Sequence, residues 1–158
     1  MKYKSFQQGG LMLALTFLIF LNFQADHPLF KERSFFGVTT VFDAEERGIR
    51  ILQHGTTIHG AVKIGDGPGG LQSDRPEPLT YYHHDGGMAR SIAAMRERRN
   101  GIIGNVGVVG LGSGSLACYK GAGETWDFYE IDQLMIDLAV RKDVFGFVPK
   151  CAPQSCMI

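Results

Sequence analysis

The chain has 158 residues, with 16 Lys and Arg balanced by 16 Asp and Glu. That length suits about one domain, and zero net charge argues against nucleic-acid binding driven by bulk charge. With 44% apolar and 20% charged residues the composition is that of a folded chain, and the 21 glycines show no three-residue period, which excludes collagen.

In chain order, Leu11 to Phe23 is almost continuously apolar and follows Lys2 and Lys4. It is shorter than the roughly 17–25 residues of a bilayer span. A short membrane anchor is the first reading and a signal peptide, with Ala25 at a poor cleavage site, the second. A buried core helix is the third. Residues 1–25 are therefore set apart as an apolar membrane or signal segment, and possible membrane attachment runs through this N-terminus. Residues 31–84 form a β-hairpin region. Ser34 to Phe42 is rich in aromatic and β-branched residues, Asp43 to Gly48 is a polar turn, and Ile49 to His54 is a second strand. Lys63 to Pro78 reads as loop, broken by glycine and proline.

The pattern changes at Gly86. Met88, Ile92 and Met95 stand at helical spacing, and Asn100-Gly101 is a stop signal. Asn105 to Val109 is a short apolar strand running into Gly110-Leu-Gly-Ser-Gly114, and Ser115 to Tyr119 begins a helix. Thr125 to Tyr129 is the next strand. Asp132 is the N-cap of a helix whose stripe is Leu134, Met135, Leu138 and Ala139. This order of strand, glycine loop, helix, strand, acid and helix predicts an α/β fold. Residues 86–158 would be the first half of an incomplete Rossmann-like, methyltransferase-type parallel sheet.

The glycine loop carries the chemistry. Glycines let a backbone approach a ligand where a Cβ would clash, and a helix N-terminus behind them offers free N–H donors. A carboxylate at the end of the next strand, here Glu130, accepts from ribose hydroxyls; it follows Gly114 at close to the usual spacing of about 20 residues. The spacing Gly110-x-Gly112-x-Gly114 departs from the dinucleotide form and is that of a site for the nucleoside of S-adenosylmethionine.

The segment Val109-Gly-Leu-Gly-Ser-Gly-Ser115 followed by Tyr129-Glu-Ile-Asp132 resembles the spermidine synthase family and its methyltransferase-fold relatives. Leu52-Gln-His-Gly-Thr-Thr-Ile-His-Gly60 and Pro78-Leu-Thr-Tyr-Tyr-His83 are similar to segments of membrane-fused spermidine synthase-like proteins, and the similarity runs from about Lys31 to Pro153. The resemblance implies aminopropyl transfer from decarboxylated S-adenosylmethionine to a polyamine such as putrescine. It places Gly110, Gly112, Ser113 and Gly114 along the donor, Glu130 on its ribose, and Tyr82 and His83 in the substrate channel. It also implies a membrane protein whose soluble part faces the cytoplasm.

The departures from that family are specific. Ser113 stands where the family carries an acid that selects the decarboxylated donor, so S-adenosylmethionine itself, and an ordinary methyltransferase, stay open. Val62 stands where the fused relatives have Gln. The family's catalytic aspartate lies in a later Asp-rich strand end, so no catalytic residue is assigned and the expectation is a truncated copy or a non-catalytic nucleoside-binding remnant. A zinc site built from His54, His59, His83 and His84 is the competing reading; no helix carries them at a metalloprotease spacing, and no metal is assigned. Cys118, Cys151 and Cys156 are read as ordinary thiols, with pairing or metal binding by Cys151 and Cys156 as the alternative.

Overall fold

The computed structural model describes residues 9–18, 28–65, 70–153 and 156–157. Phe30–Ser34 (β1), Gly37–Ala44 (β2), Ile49–His54 (β3) and Thr57–Lys63 (β4) form an antiparallel sheet in sequence order. The strand expected from Ser34 to Phe42 is in fact two elements. Ser34 closes β1 opposite Gly37, and Phe35 and Phe36 take the turn between them. The hairpin of β2 and β3 is the one expected, with Asp43 opposite Arg50.

Asn105–Val109 (β5) and Thr125–Tyr129 (β6) pair in parallel, and the two residues Cys156–Met157 (β7) lie beside β6. The fold is thus α/β with a four-stranded antiparallel sheet and a separate small parallel one. This overturns the expected incomplete Rossmann-like sheet: the parallel part is not a Rossmann sheet. The connection from β5 to β6 supplies a physical reason. A parallel crossover normally packs an α-helix on the sheet. Gly114 and Gly121 leave only residues 115–120 between them, and Ser115–Tyr119 forms a 3₁₀ segment instead of the expected helix.

Residues 9–18 are helical (α1), and Leu11, Met12, Leu13, Phe17 and Leu18 are exposed. Among the described residues no helix is long and apolar enough to cross a membrane. The rest of the expected 1–25 segment, including Ala25, lies outside the described residues. The remaining helices are Gly87–Arg98 (α2), Gln133–Ala139 (α3) and Phe147–Cys151 (α4).

Two apolar clusters join these elements. Val41, Leu52 and Val62 of the antiparallel sheet pack with Met135, Leu138, Phe145 and Phe147. Trp126 and Phe128 of β6 pack with Ile92, Leu111, Ala117, Ala139 and Val148. Helices α3 and α4 contribute to both clusters, so they fasten the two sheets together. Arg50 of β3 adds a polar tie. Its Nε and Nη2 donate to Asp43 at 2.7 and 3.0 Å, and its Nη1 donates to the Asp143 and Val144 carbonyls at 2.7 and 3.0 Å. Cys118 and Cys151 are joined in a disulfide between the 3₁₀ segment and α4, against the expectation of free thiols. The two cysteines lie far apart in sequence, so their pairing depends on tertiary contacts and leaves no local signal.

Glu124 is the most heavily bonded buried carboxylate described. Arg96 of α2 donates to both its oxygens, at 2.8 and 2.7 Å, and the Ile103 and Gly121 amides and the Trp126 indole also donate to it. The Arg96 guanidinium, more than any other partner, holds its carboxyl well below the usual range. A depressed carboxylate pKa gives stability that is present above the unfolded value and lost on acidification. Glu124→Gln should therefore cost about 3 kcal/mol at neutral pH, and its deficit against wild type should narrow below about pH 4, as read by urea melts across pH.

Candidate functional site

A cavity of about 380 Å³ lies beyond the carboxyl ends of β5 and β6, where the antiparallel sheet meets the glycine loop. This is within the roughly 300–1,000 Å³ of small-molecule sites. Gly110, Leu111 and Gly112 form one side and Glu130 to Asp132 another. Phe36, His54 and His59 of the antiparallel sheet, with Tyr82, close it.

Backbone pairing holds the loop. The parallel ladder runs to Val109 opposite Tyr129, and the Gly110 amide continues it by donating to the Tyr129 carbonyl at 2.8 Å. The chain then turns with Gly110 at φ +86°, a region that L side chains rarely enter. Leu111 donates its amide to Glu130 Oε2 at 2.9 Å. Glu130 Oε1 accepts from the amides of Ile131 and Asp132 at 2.9 and 3.1 Å. The carboxylate is thus fixed on the cavity side of the loop.

Asp132 does two other jobs. Its Oδ1 accepts from the Leu134 amide and caps α3, the N-cap expected from sequence, and its Oδ2 accepts from the Ser34 hydroxyl at 2.6 Å. The mouth is apolar and open, with Val109 92% and Ile131 79% exposed and Phe36 also exposed.

The histidines divide into two pairs. His54 and His59, on the two strands of the β3–β4 hairpin, line the cavity with ring centroids 5.9 Å apart. Burial, then the neighbouring His54, pull His59 below its ordinary pKa, and Glu130 opposes them in part. His59 is therefore a neutral imidazole at pH 7. His83 and His84 lie with Glu77 instead, so the four do not form one metal site. Burial, followed by the hydrogen bond with Tyr81, raises the Tyr82 phenol above its usual value, so it is a neutral hydroxyl. Tyr82 sits on the Thr80–Tyr82 turn, which Tyr119 fastens by donating its hydroxyl to the Tyr82 carbonyl at 2.5 Å.

Of the residues singled out from sequence, Gly110, Gly112, Glu130 and Tyr82 line this cavity; Ser113, Gly114 and His83 do not. Ser113 is buried, with its hydroxyl 2.7 Å from that of Ser115, and it faces Gly60 of β4. With Gly112, which lies against the His59 carbonyl, it brings the loop against the antiparallel sheet. Gly114 packs against Val148, Ala139 and Phe147. Sequence reasoning did not place Phe36, His54 or His59 with the loop. The β-pattern gave a partial signal for the hairpin residues, but the docking of one sheet on the other has no local signature. Family models, curated proteins and solved structures give no match to this chain.

Two glycines separate open space from packing. A Cβ on Gly110 meets no atom within 4 Å, whereas one on Gly60 comes within 2.0 Å of Ser113 Oγ. Gly110→Ala should cost about 1 kcal/mol of backbone strain and meet no steric clash. Gly60→Ala should cost about 1–3 kcal/mol by overpacking. Thermal melts of both variants check the order.

Proposed function

We propose that this chain binds an adenosine-type sulfonium nucleoside, S-adenosylmethionine or its decarboxylated form, in the cavity between the glycine loop and Glu130. The observation that carries the reading is the Glu130 carboxylate, bonded to the Leu111 amide and facing the same cavity as Gly110 and Gly112. A carboxylate offers about four acceptor positions, and backbone amides take three of them here. About one remains for a ribose hydroxyl. The exposed Val109, Ile131 and Phe36 offer flat apolar contact to a base.

Buried Ser113 is held away from the cavity, so the donor's tail would be chosen elsewhere. This leaves both donors as candidates. The resemblance to spermidine synthases favours aminopropyl transfer to an amine such as putrescine. In that reaction the amine nitrogen forms a bond to the methylene beside sulfur, the carbon–sulfur bond breaks to a neutral thioether, and the amine sheds a proton. His59, which burial holds toward its neutral form and which lines the cavity, would take it.

Calorimetry with S-adenosylmethionine, its decarboxylated form and adenosine tests the reading. All three should bind, and Glu130→Gln should weaken them about tenfold to a hundredfold. The two sulfonium ligands should also weaken on acidification, as His59, whose pKa lies below its ordinary value, gains a like charge; adenosine should not. No binding at millimolar nucleoside contradicts the proposal. Product analysis with putrescine separates transfer from binding alone.

A further inference from the structure

Outside that cavity, Glu77, His83 and His84 each place one ligand atom within 4.8 Å of the others. Glu77 Oε1 lies 3.2 Å from His84 Nδ1 and 3.6 Å from His83 Nε2. Two ligands of a tetrahedral zinc ion at about 2.0–2.1 Å stand about 3.3 Å apart, so these gaps are already the size of a coordination edge. Neighbouring residues usually point their side chains apart. Here the two imidazoles sit side by side, centroids 3.9 Å apart, over a tight turn in which the Gly86 amide donates to the His83 carbonyl at 2.7 Å.

Asp85 completes the arrangement from the other side. Its Oδ2 lies 3.6 Å from His83 Nδ1 and 3.4 Å from His84 Nε2, the nitrogens that face away from Glu77. Metal-bound histidines characteristically give their second N–H to a carboxylate, which sets the tautomer. We propose that Glu77, His83 and His84 bind one divalent transition-metal ion of the zinc class, with Asp85 as the outer carboxylate of both imidazoles.

Two nitrogens and one oxygen suit zinc, cobalt or nickel, whereas magnesium and calcium call for oxygen ligands. Lys63 Nζ donates to Glu77 Oε2 at 2.8 Å, which leaves Oε1 as the coordinating atom. The Asp85 amide donates to His83 Nδ1 at 3.3 Å, which holds that ring over the turn. A metal on Nε2 leaves Nδ1 as the nitrogen on the Asp85 side. Three protein ligands leave an open position for water. The site does not depend on the nucleoside reading, because His83 is not a wall of that cavity. It would stiffen the turn that brings Tyr82 to the cavity.

The test is cobalt titration of the tag-free, chelator-stripped full chain, followed in the visible d–d bands and by calorimetry. One cobalt ion per chain should bind, and zinc, but not magnesium, should displace it. His83→Ala, His84→Ala and Glu77→Gln should each abolish the band, and Asp85→Asn should weaken affinity about tenfold. The double variant His54→Gln/His59→Gln should keep the band. Lys63→Gln, which frees the second carboxylate oxygen, should bind more tightly, so it reads the site even if a ligand variant folds poorly. Absence of a band, or a band that survives the loss of both His83 and His84, overturns the proposal.

Discussion

The Glu130 carboxylate is the point on which the site turns. The loop after β5 leaves the parallel ladder at Gly110, and nothing in β5 itself fixes its onward path. The Leu111 amide reaches across to Glu130, and the Ile131 and Asp132 amides hold that carboxylate from its own side. Three charge-assisted bonds, each stronger than a neutral one, thus tie the ends of two strands into one turn. Leu111 enters the β6 cluster from that turn, and Asp132 begins α3 immediately after it.

From there the geometry spreads in two directions. Helix α3 places Met135 and Leu138 against the antiparallel sheet and Ala139 against the parallel one. Ser113 meets β4 at Gly60, where only a residue without Cβ leaves room. The hairpin carrying His54 and His59 is thereby set over the loop, and a cavity forms between two sheets that share no hydrogen-bonded strand. Farther out, Arg50 ties β3 to the segment before α4, and the Cys118–Cys151 link ties the 3₁₀ segment to α4.

Local elements were legible in the sequence wherever one short-range cause governs them. The apolar runs of β5 and β6, the β2–β3 hairpin around its polar turn, the existence of α2 and the Asp132 cap all follow from spacing and side-chain chemistry, although of the α2 stripe only Ile92 is buried and Met88 and Met95 are exposed. Misreadings came where the cause is distant. The glycine loop, followed by an acid, suggests the first half of a Rossmann-like parallel sheet, but the stretch between Gly114 and Gly121 forms only a 3₁₀ segment and the antiparallel meander supplies most of the strands. Ser113 belongs by motif to the loop but is claimed by Gly60. His83 and His84, adjacent in sequence, turn to Glu77, while His54 and His59 turn to the cavity. None of these choices leaves a mark on residues nearby in the chain.

The amide proton of Leu111, followed by NMR in the wild type and in Glu130→Ala, tests the Glu130 tie most directly. The account predicts that the variant loses the protection of this amide from hydrogen exchange and shifts its resonance to lower frequency. A Leu111 amide that is unchanged in Glu130→Ala would contradict it, because the loop would then be held by something else.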